Sequence, residues 1–447
     1  MSLTLHEAWS RTVRAGPDAI ALIDAETGRR WSRREIDDEA ETWRRAHGDA
    51  ITGRTVAFGE RNGVAWLRVF IGLLKADAVA VPFDPGEPVG ARMATAAAAG
   101  ADWLDQDDAL VAVAPHRRHR DGRRVVKLTS GSTGTPKPLR FTDAQILADG
   151  HSVVTAMGIT GDDLNLGLIP WGHSYGLGNL IVPLLTQGTA IISGIAPLPH
   201  SIAEATARWQ PTVFPAVPAL LRALVDSTMA ARDLASLRTV VTAGAPIPPE
   251  VAQAFHAKFA RRVHSFYGSS ETGGIAFDAT GELAASGGGV GRPMPGVAVT
   301  FERGQRLRVA GPAVFTIGNR RPGTHLLADI AREDEHGGLV LLGRAGRFVK
   351  IAGRRLNLAE VEHALRGLPG VQDAWVTPHA QRSDALAGAI AVGTEAAPST
   401  SPGAIREALR ARLASWKIPK KLIVLPVFPL TARGKTDSRA LRARLTP

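Results

Sequence analysis

Residues 51–83 read ITGRTVAFGERNGVAWLRVFIGLLKADAVAVPF, and this stretch predicts a βαβ unit. A β-branched run around Val56 is followed by a segment whose apolar residues recur at helical spacing, and a second apolar run ends at Phe83. Two strands that are joined through a helix lie parallel in one sheet. The stretch therefore favours an α/β fold.

The same pattern recurs in five short β-branched runs that end in turn residues and are separated by helical stretches. These runs are NLGLIP (165–170), TAIISG (189–194), PTVFPAV (211–217), RTVVTAG (238–244) and RRVHSFYG (261–268). After about Gly289, apolar residues alternate with turn signals, which suits a small antiparallel or barrel-like region. A hairpin-like segment, a helix from about Ala359 and another strand then predict a small α+β domain. We predict a large N-terminal domain, 1–343, with stacked and mostly parallel sheets, and a small C-terminal domain, 344–447.

The composition of the 447-residue chain is that of a globular protein, with 45% hydrophobic and 21% charged residues. Cysteine is absent, which excludes disulfides, a thiolate nucleophile and a cysteine-ligated metal. The net charge is +11, but the arginines are scattered, which favours attraction of anionic nucleotides over a nucleic-acid surface. No signal-peptide pattern or membrane-length apolar run is visible, so the sequence predicts a cytoplasmic protein without a membrane span.

The stretch LTSGSTGTPKPLRFT, residues 128–142, combines two glycines, several hydroxyl residues and a lysine. Gly131 and Gly134 allow backbone amides to approach an anion, and Lys137 adds positive charge. The hydroxyl donors are Thr129, Ser130, Ser132 and Thr133. The lysine stands three residues after the second glycine, so this is not a Walker A loop. Taken alone, the stretch fits either a polyphosphate-binding loop or a Ser/Gly/Thr-rich surface loop.

The neighbours of this stretch give it a structural setting. The apolar run before it, Val125–Leu128, predicts a strand. Thr142 and Gln145 after it match a capping box at the start of a helix. The loop is therefore expected to lie between a strand and an extended segment that leads into a helix.

Four further motifs follow in order: SFYGSSETGG (265–274), LLADIA (326–331), GRAGRFVKIAGRRLNLAEVE (343–362) and PLTARGKTDSRAL (429–441). From about residue 15 to its end, the chain resembles the adenylate-forming superfamily of acyl-CoA synthetases, aryl and acyl ligases, luciferases and peptide-synthetase adenylation domains. The resemblance implies two half-reactions. A carboxylate attacks the α-phosphate of Mg-ATP to give an acyl-adenylate and pyrophosphate, and a thiol then displaces AMP.

The resemblance also implies a nucleotide site. The loop 129–137 would bind the β- and γ-phosphates, Glu271 would bind Mg²⁺, and Ser270 would contact the α-phosphate. Tyr267 and the segment 242–246 would enclose adenine, and the ribose would contact an acid and an arginine. The predicted nucleotide-binding residues are Thr129, Ser130, Gly131, Ser132, Thr133, Gly134, Lys137, Gly244, Ala245, Pro246, Tyr267, Gly268, Asp329 and Arg344.

Lys435 matches the lysine that reaches from the small domain to the substrate carboxylate and the α-phosphate, where it offsets the repulsion between two anions. We predict Lys435, His173, Ser270 and Glu271 as catalytic residues. The segment WGHSYGLGNL, 171–180, resembles the boundary of the acid pocket, where His173 would lie near the carboxylate. The predicted pocket residues are Trp171, His173, Tyr175, Gly176, Asn179, Gly273 and Gly274.

In the family the small domain rotates between the half-reactions, which implies a hinge near 344–346, where Gly346 can absorb torsion changes. Lys350 and Gly353 would then line the entry tunnel of the thiol. Several positions depart from the family pattern, Pro138 and Asp143 among them. Pro138 replaces the usual glycine after the loop lysine, and Asp143 stands where histidine is common, which indicates a divergent subgroup.

The sequence thus predicts an ATP-dependent acid–thiol ligase that needs Mg²⁺ and releases AMP and pyrophosphate. The pocket segments are apolar and contain no charge placed to meet an amino group, so an aryl or fatty acid fits better than an amino acid. The acceptor would be CoA or the phosphopantetheine of an acyl or aryl carrier protein. The alternative is a non-catalytic or sensory nucleotide-binding protein on the same scaffold.

Overall fold

The computed structural model describes residues 3–87, 89–113, 122–129, 137–316, 321–344, 348–351, 354–393, 401–431 and 436–445. These residues fall into two compact units. The first comprises Met1–Thr300, Arg308–Leu326 and Glu333–Val340. The second comprises Phe301–Leu307, Leu327–Arg332 and Leu341–Pro447. The second unit thus includes two segments that precede residue 344, and the domain boundary at 343/344 stays a prediction.

The first unit contains helices and strands in alternation. Its strands are β1 (Ile20–Asp24), β2 (Arg30–Ser32), β3 (Thr55–Phe58), β4 (Val79–Pro82), β5 (Trp103–Gln106), β6 (Ala109–Ala112), β7 (Val125–Thr129), β8 (Lys137–Phe141), β9 (Leu164–Leu166), β10 (Ala190–Ser193), β11 (Val213–Ala216), β12 (Thr239–Thr242), β13 (Val263–Ser269), β14 (Gly273–Phe277) and β15 (Arg292–Pro293). Its helices are α1 (Leu5–Ala15), α2 (Arg33–His47), α3 (Val64–Lys75), α4 (Val89–Ala99), α5 (Asp143–Met157), α6 (Ser174–Gly176), α7 (Val182–Gln187), α8 (Pro199–Trp209), α9 (Pro218–Val225), α10 (Pro249–Phe259) and α11 (Leu283–Ser286).

These strands form two sheets. One has six strands in the order β6-β5-β3-β4-β7-β8, and the other has nine in the order β15-β14-β13-β12-β11-β9-β10-β1-β2. The predicted βαβ unit is confirmed, because β3 and β4 pair in parallel and are joined by the buried helix α3. The five predicted runs become β9 to β13, whose pairings with one another are parallel. The predicted α/β class, with stacked and mostly parallel sheets, is confirmed.

The strands β16 (Ala298–Glu302), β17 (Arg306–Ala310), β18 (Thr324–Glu333) and β19 (Leu339–Arg344) form a four-stranded sheet in that order. This sheet matches the small region predicted after about Gly289, and it contributes residues to both units.

The rest of the second unit is a small α+β assembly. Its elements are β20 (Phe348–Ile351), β21 (Arg354–Asn357), α12 (Leu358–Arg366), β22 (Asp373–His379), β23 (Arg382–Ala391), α13 (Pro402–Arg410), β24 (Lys421–Leu425) and α14 (Ser438–Leu445). β22 pairs with β23 in antiparallel and β23 with β24 in parallel orientation. Val361 and Leu365 of α12 and Leu386 of β23 belong to its hydrophobic core. The helix predicted from about Ala359 is therefore present.

Candidate nucleotide and acyl site

The segments predicted to bind adenine leave one edge of the nine-stranded sheet. Ala216 of β11 lies opposite Thr242 of β12, and Thr242 lies opposite Ser265 of β13. Because these strands are parallel, the segments that follow them emerge on the same side. Ligands of open α/β sheets bind outside this carboxyl edge. The fold therefore brings the predicted adenine-binding segments to a suitable place.

The predicted adenine-binding residues occupy this edge. Gly244, Ala245 and Pro246 are exposed directly after β12, and Gly244 has a φ of +88°, which favours glycine. β13 continues past Ser265, the partner of Thr242, and therefore contains Tyr267, which lies opposite Ala276 of β14. Gly268 follows Tyr267 and is exposed.

Ser270 and Glu271 lie in the turn that joins the antiparallel strands β13 and β14. The backbone N–H of Phe315 donates to the carbonyl oxygen of Glu271 at 3.0 Å, and the hydroxyls of Ser269 and Thr272 lie 3.0 Å apart. Glu271 is partly exposed, and no hydrogen bond or ion pair within the described part of the chain engages its carboxylate. The turn therefore presents one available carboxylate on a fixed backbone.

This donor set fits Mg²⁺ bound mainly by a nucleotide. Within the described ranges, no group of three or more histidine, aspartate or glutamate side chains forms a metal site. Mg²⁺ is commonly bound through one or two carboxylates together with phosphate oxygens and water. Glu271 is suited to that arrangement, and its role as the metal ligand stays a prediction.

Two side chains of α5, one helical turn apart, contact the segments that adjoin the Glu271 turn. Gln145 Nε2 donates to the carbonyl oxygen of Val314 at 2.5 Å, next to the Phe315 N–H that contacts Glu271. Asp149 Oδ1 accepts from the N–H of Gly274 at 2.9 Å. Residues at i and i+4 share a helix face, so one face of α5 contacts both the start of β14 and the segment 314–316 that bonds to Glu271.

Lys127 is a buried charged residue that lies just before the predicted phosphate-loop motif. Its side chain is 3% exposed, and Nζ lies 3.7 Å from Asp149 Oδ2 and 4.4 Å from the centroid of the Phe141 ring. Burial lowers the pKa of Lys127, while Asp149 and, more weakly, Glu271 oppose that shift. The available signal was a lysine within the apolar run Val125–Leu128, since lysine is almost never fully buried without a partner.

The predicted phosphate loop connects two antiparallel strands. Thr129 ends β7 and lies opposite Lys137, which begins β8 and is exposed. Ser130, Gly131, Ser132, Thr133 and Gly134 lie outside the described residues, as does the side chain of Thr129. After β8, the predicted capping box of Thr142 and Gln145 begins α5. The extended segment predicted between the loop and the helix is thus strand β8.

The predicted acid-pocket segment lies across the strand ends. His173 precedes α6 and is partly exposed, and Leu177–Ile181 form a π-helical turn, an irregularity that is frequent at functional sites. The hydroxyl of Tyr175 donates to the carbonyl oxygen of Val241 at 3.1 Å, and its ring stacks on Phe266 with centroids 5.7 Å apart. Burial raises the pKa of this hydroxyl, so it remains a proton donor.

Trp171 supports this segment from the core. Its indole is fully buried and meets the Trp66 ring edge-on, with centroids 5.7 Å apart. Its backbone N–H donates to Asn62 Oδ1 at 3.1 Å, and Asn62 Nδ2 donates to the carbonyl oxygens of Gly167 and Ile169. No motif marked Asn62 in the sequence, although its amide contacts the loop at three points.

Five small residues of the pocket segments are buried: Gly176, Gly178, Asn179, Gly273 and Gly274. Three of them, Gly178, Gly273 and Gly274, border the Asp149 carboxylate. A Cβ added to Gly178 would lie 3.2 Å from Asp149 Oδ2, and one added to Gly273 would lie 2.3 Å from Oδ1. The glycines thus make room for a carboxylate from α5, which lies outside the pocket segments in the sequence.

In the second unit, Asp329 of β18 and Arg344 of β19 form an ion pair. Arg344 Nε lies 3.0 Å from Asp329 Oδ1, and the Asp329 side chain is 14% exposed. The guanidinium orients the carboxylate that we predict to bind ribose. Lys350 belongs to β20, but its side chain is not among the described groups. Also outside the described residues are Gly346, Gly353 and Lys435.

Comparison with known proteins supplies a family. Residues 94–301 match the family AMP-binding enzyme, and residues 360–435 match the AMP-binding enzyme C-terminal domain. The chain is 27% identical to novobiocin biosynthesis protein H of Streptomyces niveus, over 98% of this chain and 82% of that protein. It is 26% identical to a feruloyl-CoA synthase of Amycolatopsis sp, over 72% of this chain and 69% of that protein.

The fold agrees with a solved structure of the same architecture. ATP-bound MatB from Rhodopseudomonas palustris superimposes with a TM-score of 0.85 at 21% identity, over 99% of both chains. The chain spans less than two thirds of the first curated relatives that it matches, from 6% of the first to 63% of the third. Within the described residues, no helix has the length and apolar character of a membrane span. With both domain matches in order along one α/β chain, the protein belongs to the adenylate-forming family of AMP-binding enzymes.

Proposed function

We propose that this chain is an ATP-dependent acid–thiol ligase that forms an acyl-adenylate and transfers the acyl group to a thiol. One observation carries the proposal. The turn with Ser270 and Glu271, the exposed segment 244–246 and Tyr267 emerge at one sheet edge, and α5 links this turn to the strand that leaves the predicted phosphate loop. The groups that we predict to bind the nucleotide and the metal thereby lie at one sheet edge.

The first half-reaction brings two anions together, so charge neutralisation is its main requirement. Glu271 would bind Mg²⁺, which when bound would neutralise charge on the phosphates of ATP. Lys137 and the loop 129–134 would bind the β- and γ-phosphates, and Ser270 would contact the α-phosphate. Asp329, oriented by Arg344, would accept hydrogen bonds from the ribose hydroxyls. His173 would lie near the reacting carboxylate.

An apolar aryl or fatty acid fits the pocket segments. Tyr175 and Phe266 form an aromatic stack at the strand ends, and a Cβ added to Gly274 would lie 2.8 Å from Phe266 and 2.9 Å from Met294. The name of the feruloyl-CoA synthase relative supports an aryl acid and CoA. The phosphopantetheine of a carrier protein is the other proposed acceptor. We also propose that the small domain, 344–447, rotates about residues 344–346 in a cytoplasmic protein.

ATP–pyrophosphate exchange with a panel of aryl and straight-chain acids tests this function. Exchange that depends on one class of acid is expected, and the acids that support it identify the substrate class. CoA and a phosphopantetheinylated carrier protein are then compared as acceptors of the accumulated adenylate. Nucleotide binding without exchange for any carboxylic acid would instead indicate a non-catalytic nucleotide-binding protein.

Glu271→Gln is expected to raise the Mg²⁺ concentration needed for half-maximal exchange several-fold. The amide keeps the size and one oxygen of the side chain but removes the charge that attracts a hard cation. A Mg²⁺ titration at saturating ATP measures the change. Glu282→Gln, on an exposed residue paired with Arg262, is the control and should leave the titration unchanged. A Glu271→Gln titration equal to that of the wild type would remove Glu271 as a ligand.

A further inference from the structure

Lys127 and Asp149 form a buried charge pair to which the proposed reaction assigns no role. Their side chains are 3% and 6% exposed, and 3.7 Å separates Lys127 Nζ from Asp149 Oδ2. Removing two charges from water costs free energy that their attraction often fails to offset, and apolar replacements of such pairs are frequently as stable. Stabilisation of the fold is therefore a weak explanation for the presence of this buried pair.

The contacts of Asp149 lie on two different sheets. Oδ2 faces Lys127 of β7, in the six-stranded sheet, two residues before Thr129 and the predicted phosphate loop. Oδ1 accepts from the Gly274 N–H of β14, in the nine-stranded sheet, three residues after Glu271. One carboxylate thus connects the strand that enters the phosphate loop with the end of the turn that carries Glu271.

The fit around this carboxylate is close. Gly273 has a φ of +73°, and a Cβ on it would lie 2.3 Å from Asp149 Oδ1. A Cβ on Gly178, from the π-helical turn, would lie 3.2 Å from Asp149 Oδ2. A shift of Asp149 would therefore move the end of the turn, while the second contact from α5, through Gln145, acts on the segment 314–316.

We propose that Lys127 and Asp149 are positioning residues that fix the Glu271 turn relative to the phosphate-loop strand, so that a bound Mg²⁺ meets the phosphates and Glu271 together. The proposal rests on the proposed function, because it takes Glu271 as the Mg²⁺ ligand and residues 129–137 as the phosphate loop. Neither residue contacts the reacting atoms in this scheme. They act through Glu271 and the backbone of its turn.

The test compares Lys127→Met, Asp149→Asn and the double variant that carries both changes. Asparagine keeps an acceptor for the Gly274 N–H but loses the attraction to Lys127, and the double variant leaves no unpaired charge. The readout is the Mg²⁺ concentration for half-maximal binding of a fluorescent, non-hydrolysable ATP analogue, followed in parallel with the melting temperature. Binding of this probe does not require the acid substrate to be known.

The matched control is Asp163→Asn. Asp163 is as buried as Asp149 and pairs with Arg238. It precedes β9 at the amino end of that strand, whereas the Glu271 turn follows the carboxyl end of β13. This variant should lower the melting temperature and leave the Mg²⁺ titration unchanged. It thus reports what the loss of a buried carboxylate's charge and ion pair does without any effect on the Glu271 turn.

We expect Asp149→Asn and the double variant to raise the half-saturating Mg²⁺ concentration by about 3- to 10-fold, with the two single changes non-additive because they act on one contact. If Lys127→Met fails to fold, the double variant gives the same comparison. Lower melting temperatures with unchanged Mg²⁺ titrations would overturn the positioning role. If the wild type binds the probe with Mg²⁺ but no acid supports exchange, the proposed function fails while this comparison still decides the positioning role.

Discussion

Lys435→Ala is expected to lower the rate of ATP–pyrophosphate exchange by at least about 100-fold, the loss typical of removing one preorganised charge-stabilising donor. The substrate carboxylate and the α-phosphate are both anions, and a compact ammonium between them offsets their repulsion as they approach. Thioester formation from supplied acyl-adenylate should stay within about twofold of the wild-type rate, because the carboxylate no longer attacks a phosphate in that step.

The two half-reactions are measured separately, by exchange with radiolabelled pyrophosphate and by release of AMP from a synthetic acyl-adenylate in the presence of the thiol. Lys420→Ala is the control, since Lys420 lies in the same unit and is exposed. Its rates should match the wild type in both assays. Equal losses of both half-reactions in Lys435→Ala would contradict either the assignment of Lys435 or the scheme of two alternating conformations.

The fold followed from local patterns to a large extent. The βαβ unit at residues 51–83 and the strands β9 to β13 were predicted, because strand length, helical spacing and turn residues are visible within short windows. The capping box at Thr142 was predicted for the same reason, since its two members are three residues apart. The order of the strands in the sheets was not predicted, because pairing joins residues that are distant in the chain.

Residues of the candidate site were predicted only where they belong to a sequence motif. Glu271, Tyr267 and Asp329 were predicted in this way, but the contacts around them were not. Lys127 and Asp149 are 22 residues apart in sequence and meet only when β7 packs against α5. Each belongs to a stretch that, read locally, is an ordinary strand or helix, so no local pattern indicates the pair.

Asp105 is a second buried group that local patterns did not indicate. It lies in β5, is 3% exposed, and neither carboxylate oxygen has a hydrogen-bond partner among the described residues. Burial, followed by the negative charges of Glu60 and Asp108, raises the pKa of Asp105 from 3.8 to about 7, while His47 and Arg68 oppose the shift. The folded protein therefore favours the protonated form of this side chain.

The raised pKa predicts that stability falls with pH in a definite window. Between pH 3.8 and about 7 the folded state retains a proton on Asp105 that the unfolded state releases, so the free energy of unfolding decreases as the pH rises. Above about pH 7 both states are ionised and the loss is constant. At 1.36 kcal/mol for each pKa unit, the full loss is about 4 kcal/mol.

Asp105→Asn is therefore expected to flatten the dependence of the unfolding free energy on pH between 4 and 7 and to stabilise the protein at pH 8. An amide without partners itself costs about 1–3 kcal/mol, so the net gain at pH 8 should be about 1–3 kcal/mol. Urea unfolding at several pH values measures both effects. Asp102→Asn, which weakens the bond from the Thr55 N–H to a buried carboxylate, should instead destabilise the protein at pH 8. Because burial also raises the pKa of Glu60, a reduced slope should remain in Asp105→Asn, whereas an unchanged slope would show that Asp105 is already ionised at low pH.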